Sequence, residues 1–171
     1  MDESSTNVRL TPLRARAPKG QRAYGKAPRN WKENVTLISS ISMEGMGPSM
    51  SVEGSADGEA FLLYLEHFLA PNLKRGQIVV MDNLSVHKMK RVRELIQERS
   101  CSLLFLPSYS PDFNPIEQAF SKMKTLLRKV KARSFEALVE ATGRALSAVT
   151  REDARGFFTH CGYGAPPVNS L

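Results

Sequence analysis

The chain has 171 residues, of which 42% are hydrophobic, and its 24 Lys and Arg exceed its 17 Asp and Glu to give a net charge of +7. This length suits one domain that buries about 70% of its unfolded surface, and the lack of a signal peptide or of any apolar run near the roughly 20 residues of a membrane span predicts a soluble cytoplasmic protein. The basic excess favours a polyanionic partner such as nucleic acid, with ordinary solubility charge as the alternative, and the widely separated Cys101 and Cys161 argue for free thiols rather than a disulfide framework.

A basic stretch follows the first dozen residues. It contains no acid, and its prolines and glycines keep it from forming a helix. We expect a flexible loop that contacts DNA phosphates, with Tyr24 available for base stacking; a solvated linker is the alternative. The cations of this stretch are Arg14, Arg16, Lys19, Arg22, Lys26, Arg29 and Lys32.

The next segment alternates between strands and a helix. Residues 34–43 and 49–53 are typical of two antiparallel strands joined by a turn at 45–48. Residues 57–69 place apolar side chains at helical spacing, which predicts a helix packed on the core.

The central segment places one acid at the end of a predicted strand and another at the start of a predicted helix. Residues 78–81 form a short apolar strand that ends on Asp82, a helix is expected over 86–98, and a further strand over 102–106. Asn114 and Pro115 predict the N-cap and first residue of another helix, with Glu117 in its first turn. The crossover connection can bring Asp82 and Glu117 to one edge of a sheet, where two carboxylates would favour a divalent metal.

The helix that starts at Pro115 carries Lys124 and Arg128 on the same face as Glu117. Cations beside an acid are expected where a metal site meets a phosphate backbone. The alternative is that Glu117 only completes a capping box at the start of its own helix. Two more helices, over 135–149 and 152–158, complete the predicted elements.

Two strings of residues resemble a known family. Val-Met-Asp-Asn-Leu-Ser-Val-His-Lys at 80–88 and Leu-Pro-Ser-Tyr-Ser-Pro-Asp-Phe-Asn-Pro-Ile-Glu at 106–117 are similar to the catalytic core of mariner-superfamily bacterial insertion-sequence transposases. The 34 residues between Asp82 and Glu117, counting 83 to 116, match a spacing seen in much of that superfamily. The resemblance extends from about residue 2 to residue 162.

The resemblance implies a ribonuclease H-like α/β fold, a mixed sheet of three antiparallel strands followed by parallel strands and flanked by helices. It also implies a catalytic triad of Asp2, Asp82 and Glu117 that holds two Mg²⁺ or Mn²⁺ ions about 4 Å apart. Asp2 could instead be a mobile terminal acid. Three further residues are expected beside the site: Asn83, His87 and Asn114. For His87 the alternative is a histidine that only begins a helix.

The implied function is metal-dependent cleavage and strand transfer of double-stranded DNA, at the element ends and the target, and a homodimer is compatible with it. We expect a single catalytic domain with a partial first strand and basic loop at 1–33, a core at 34–164 and a tail at 165–171. Asp2 should end a strand whose body lies upstream, and a helix-turn-helix region should lie upstream as well. We therefore expect little cleavage by this chain alone. A non-catalytic DNA-binding or assembly fragment of a split transposase is the main alternative, and a stand-alone nuclease is a weaker one.

Overall fold

The computed structural model describes residues 1–14, 16–22, 24 and 34–164. Its elements follow the order expected from the sequence, with three strands first and then helices alternating with two strands. The strands are β1 (Asp2–Asn7), β2 (Asn34–Ser42), β3 (Gly45–Glu53), β4 (Ile78–Met81) and β5 (Ser102–Phe105). The helices are α1 (Gly58–Tyr64), α2 (Lys90–Glu98), α3 (Pro115–Val130), α4 (Phe135–Ser147) and α5 (Arg151–His160).

The strands form an antiparallel group and a parallel pair. β1, β2 and β3 pair in that order as antiparallel neighbours, and β4 pairs with β5 in parallel. The amino group of Met1 donates a 2.8 Å hydrogen bond to the Val80 carbonyl, so the start of β1 lies beside β4. The predicted mixed arrangement of three antiparallel strands followed by parallel ones, flanked by helices, is confirmed.

Strand β1 corrects one expectation from the sequence. Asp2 begins a six-residue strand rather than ending one, and it pairs with Ser39 while Asn7 pairs with Asn34. The strand forms because its Ser and Thr side chains suit an extended backbone, with Ser4 and Thr6 buried on the same face as Asp2. The expectation that Asp2 ends its strand is therefore wrong, because the strand continues to Asn7.

The core lies on both faces of the strands. Ile38 of β2 belongs to a buried cluster shared with α1, α2 and β4, whereas its neighbour Leu37 belongs to a second cluster shared with α3 and α4. This division follows from the alternation of side chains along a strand. Both residues are at most 1% exposed, so β2 is covered by helices on its two sides.

Several boundaries differ from the predictions. The turn between β2 and β3 falls on residues 43 and 44, because Gly45 already lies in β3 with a φ of 126° that favours glycine. The helix expected over 57–69 is α1 followed by a π-helical turn at Leu65–Leu69. The helix expected over 86–98 is split, because extended backbone at Met89 separates a short 3₁₀ turn from α2.

Two predictions from composition concern cysteines and membranes. Cys101 and Cys161 are both buried free thiols, as expected. Across the described ranges, no helix is long and apolar enough to span a bilayer.

Candidate active site

Three predicted carboxylates line one cavity of about 320 Å³. Asp2 comes from the start of β1, Asp82 directly follows β4, and Glu117 lies in the first turn of α3. The crossover from β4 through α2 to β5 brings the last two together, as the spacing predicted. The polar wall also includes Asn83, Ser108, Ser110 and Asn114.

Asp2 is buried and held by two donors. The Glu3 backbone N–H donates a 2.8 Å hydrogen bond to Oδ1, and Asn114 Nδ2 donates a 2.7 Å bond to Oδ2. Burial raises the pKa of Asp2 to about 7, and the negative charges of Asp82, Glu3 and Glu117 act in the same direction against the Glu3 N–H. The cavity thus concentrates negative charge around a carboxylate that has little access to water.

Asp82 is contacted through one oxygen. His87 Nδ1 lies 2.5 Å from Oδ1, and the Leu84 backbone N–H donates a 3.2 Å bond to the same atom. The two atoms lie within ion-pair distance, and the close approach places the His87 ring against this oxygen of Asp82. Next to it, Asn83 Nδ2 donates a 2.9 Å bond to Ser108 Oγ, which links the loops that follow β4 and β5.

His87 connects Asp82 to a residue that the sequence did not single out. The ring is fully buried, packs against Phe61 with centroids 4.4 Å apart, and places Nε2 3.1 Å from Glu3 Oε1. Burial alone would lower the pKa of His87, but the hydrogen bond and charge of Glu3, together with Asp82, raise it above its usual value. Glu3 follows Asp2 directly, and that adjacency was the only sequence signal that could have found it.

Glu117 does not cap its own helix. Asn114 occupies the N-cap position of α3 but makes no side-chain capping bond there, and its Nδ2 donates to Asp2. Asn114 is therefore the N-cap residue of α3, as predicted, although its side chain makes no capping bond, and the capping-box alternative for Glu117 is not formed. The Glu117 side chain is exposed on the cavity wall.

The three carboxylates line one cavity, but their oxygens do not converge on a single position. Within the described residues, no three His, Cys, Asp or Glu side chains are placed closely enough to hold a metal ion. Asp2 is turned to Asn114 and Asp82 to His87. In donor chemistry, three carboxylates on one cavity suit Mg²⁺ or Mn²⁺, although their side chains must turn toward a common ion to bind it.

The predicted DNA-contacting cations lie in two places. Lys124 and Arg128 are half-buried on α3. Arg133, beyond the end of α3, donates a 2.6 Å bond to the Val8 carbonyl and so fixes the chain just before the basic stretch. Lys26, Arg29 and Lys32 lie outside the described residues. The described cations of the basic stretch are all exposed: Arg14, Arg16, Lys19 and Arg22.

Comparison with curated proteins identifies transposases as relatives. The chain is 31% identical over 103 residues to the Tcb1 transposase of Caenorhabditis briggsae, a match covering 58% of this chain and 38% of that protein. It is 30% identical over 108 residues to the Tc1 transposase of Caenorhabditis elegans, covering 61% of this chain and 40% of that protein. The matches therefore span about two fifths of the length of these relatives.

Solved structures with this fold include a crystal structure of the Mos1 mariner paired-end complex with Mn. The TM-score is 0.77 at 18% identity, and the match covers 94% of this chain and 51% of that one. A structure of the Mos1 transposase catalytic domain with Raltegravir and Mg gives a TM-score of 0.63 at 15% identity, covering 75% and 70%. A family model described as DDE superfamily endonuclease matches residues 1–139. The chain therefore belongs to the DDE superfamily endonucleases and has the fold of a mariner transposase.

Proposed function

We propose that this chain is the catalytic domain of a mariner/Tc1-type DNA transposase that cleaves element ends and joins them to target DNA. The observation that carries the proposal is the meeting of Asp2, Asp82 and Glu117 on one cavity of a chain from the DDE endonuclease family. The assignment of this chain to a bacterial insertion sequence is part of the proposal and rests on the string at 106–117.

Asp2, Asp82 and Glu117 would hold the divalent ions, Mg²⁺ or Mn²⁺ and two in number. When bound, such ions supply Lewis-acid activation of a phosphodiester and neutralise its developing charge. Two features support this role: the charges of Asp82 and Glu117 help to raise the pKa of Asp2, and similar folds have been solved with Mn or Mg. Within the described part of the chain, the contacts of Asp82 fall on Oδ1, and Oδ2 makes no hydrogen bond.

Other residues hold the ligands in place. Asn114 ties the start of α3 to Asp2, so that the first and third acids are connected through one amide. Asn83 joins the two loops on either side of the cavity through Ser108. These bonds would keep the cavity walls together while the carboxylates turn toward bound ions.

Double-stranded DNA is the proposed substrate. The exposed cations at positions 14, 16, 19 and 22 and the α3 pair Lys124 and Arg128 would contact phosphates, and Lys26 and Arg29 belong to the same proposal from sequence alone. A homodimer that pairs two element ends, as the name of the Mos1 paired-end complex implies for that protein, is part of the proposal. The two buried free cysteines suit a reducing compartment such as the cytoplasm.

Nicking of supercoiled plasmid tests this function. The sequence predicted little cleavage by this chain alone; because β1 pairs Asp2 with β2, we propose instead that the chain nicks plasmid with Mn²⁺ or Mg²⁺, and not with EDTA. Asp82→Asn should reduce the rate by about 100-fold or more. The matched control is Glu53→Gln, an exposed acid on β3, which should leave the rate unchanged.

Two outcomes would support the alternatives. Metal-independent DNA binding with no nicking in either metal would favour a non-catalytic binding fragment. Nicking without joining of a labelled 3′-hydroxyl oligonucleotide to plasmid would favour a stand-alone nuclease. Both steps, abolished together in Asp82→Asn, are what the transposase proposal requires.

A further inference from the structure

We propose that Glu3 is a positioning residue that orients the Asp82 carboxylate through the buried ring of His87. The inference rests on the proposed function, because it assigns Asp82 a metal-binding role. Glu3 and His87 themselves do not line the described cavity that Asp2 and Asp82 line.

The strand geometry separates the roles of two consecutive acids. Successive side chains of a strand point to opposite faces, so Asp2 and Glu3 leave β1 in opposite directions. Asp2 contacts Asn114 on the α3 side. Glu3 contacts His87, which packs on Phe61 of α1 on the other side. The Glu3 side chain thus reaches the cavity through His87, whereas its backbone N–H bonds directly to Asp2.

The surroundings of His87 hold its ring in one orientation. The ring is fully buried between Phe61 and the two carboxylates, and the 3₁₀ turn that carries it is closed by a 3.2 Å bond from the His87 N–H to the Leu84 carbonyl. Its two nitrogens face different acids, with Nε2 3.1 Å from Glu3 Oε1 and Nδ1 2.5 Å from Asp82 Oδ1. An acceptor on Nε2 fixes the ring angle, and the ring angle fixes where Nδ1 meets Asp82.

The effect on Asp82 is specific to one oxygen. His87 Nδ1 and the Leu84 N–H both contact Oδ1, which restricts rotation of the carboxylate about its χ2 bond. Partners that orient a metal-binding carboxylate in this way typically change metal affinity by about 10- to 100-fold when they are removed. A purely structural role for Glu3 would instead contribute to stability without affecting the ligand.

A matched pair of variants at Glu3 tests the inference. Glu3→Met keeps the length of the side chain but removes the acceptor, whereas Glu3→Gln keeps an oxygen that can accept from Nε2. We expect Glu3→Met to weaken Mn²⁺ binding by about 10- to 100-fold in titration calorimetry, and Glu3→Gln to stay within about threefold of the wild type. His67→Gln, at an exposed histidine away from the cavity, is the control and should not change the affinity.

A second readout requires no metal. The ¹³C chemical shift of the Asp82 carboxyl group in the metal-free protein should change in Glu3→Met and return in Glu3→Gln. An unchanged Asp82 signal together with wild-type Mn²⁺ affinity in Glu3→Met would overturn the inference, even if that variant melts at a lower temperature.

The two readouts also distinguish a failure of the positioning role of Glu3 from a failure of the proposed metal-binding function. If the wild type binds Mn²⁺, Asp82→Asn abolishes binding and Glu3→Met has no effect on either readout, only the positioning role fails. If the wild type binds no Mn²⁺ while the Asp82 signal still follows Glu3, the metal assignment fails and the coupling of Glu3 to Asp82 stands.

Discussion

Asn114 Nδ2 donates a 2.7 Å hydrogen bond to Asp2 Oδ2, joining residues 112 positions apart in the chain. Both side chains are buried, so breaking this bond would leave two polar groups with little access to water. The side chain at the N-cap of α3 thus bonds to Asp2 and makes no capping bond to its own helix. The start of α3, which carries Glu117, is thereby fixed to the start of β1, which carries Asp2.

Replacing this amide should affect both stability and metal binding. We expect Asn114→Ala to lower the free energy of unfolding by about 1–3 kcal/mol, because the Asp2 carboxylate then lacks a buried donor. It should also weaken Mn²⁺ binding by about 10-fold or more, which calorimetry measures. Asn72→Ala is the control: it removes an exposed amide bonded to the Phe68 carbonyl and should cost no more than about 0.5 kcal/mol. Equal losses in the two variants would contradict a special role for Asn114.

The pH dependence of stability should carry the signature of Asp2. Its pKa rises from 3.8 in the unfolded chain to about 7 in the fold, so the folded state binds this proton more tightly. The group therefore favours folding most at low pH, and stability falls as the pH rises from about 4 to 7. Relative to the wild type, Asp2→Asn should gain on the order of 2 kcal/mol between pH 5 and pH 8 in urea unfolding without metal. A pH-independent difference would show that Asp2 titrates normally.

The contact between α3 and α5 should respond to pH in the opposite sense. Lys122 Nζ and the capping residue Thr150 both bond to Asp153, and the Lys122 bond is the main cause that lowers the pKa of Asp153 to about 2. Its contribution is present above pH 3.8 and is lost as the pH falls through about 2. We expect Asp153→Asn to lower the free energy of unfolding by about 1 kcal/mol at pH 7.

The same comparison at low pH completes that test. Near pH 2 the wild-type carboxyl is about half protonated and most of the stabilisation from its lowered pKa is lost, so the stabilities of the wild type and Asp153→Asn should approach each other. A difference of the same size at pH 2 and pH 7 would mean that the ionised carboxylate is not what stabilises this helix pair.

DNA binding should depend on the neutralisation of phosphates. Changing Arg22 or Arg128 to Gln should weaken binding to unrelated duplexes alike and reduce the salt slope by about 1 for each phosphate that is no longer neutralised. Fluorescence anisotropy across a range of salt concentrations measures both. Arg75→Gln, at an exposed cation outside the two basic regions, should leave the slope unchanged. If the DNA affinity does not depend on salt concentration, these cations are solvated surface residues that do not contact phosphates.

The order of elements was predictable because hydrophobic period and turn residues decide it locally. Ile78–Met81 is a strand and Pro115 begins a helix in the structure, as the pattern of residues predicted. The placement of Asp82 and Glu117 on one cavity also followed from topology, since parallel strands and their crossovers share an edge. The elements needed only near neighbours in the sequence, whereas placing the two acids together also needed the topology of a parallel strand pair.

Contacts made across the fold could not be predicted in this way. The residues around Asn114 indicate an N-cap, but they do not show whether its side chain bonds to its own helix or to another element. The bond to Asp2 depends on the packing of β1 beside α3. The role of Glu3 has no local signal beyond its adjacency to Asp2, because its partner, His87, lies 84 positions away. The extent of β1 was misjudged because polar Ser and Thr residues conceal a strand that is buried on one face.

Mn²⁺ titration calorimetry tests the claim that Asp2, Asp82 and Glu117 form one divalent-metal site. We predict that the wild type binds Mn²⁺ and that Asp82→Asn and Glu117→Gln each weaken binding by about 100-fold or more, while Glu53→Gln binds as the wild type does. Unchanged Mn²⁺ affinity in both Asp82→Asn and Glu117→Gln would contradict the claim.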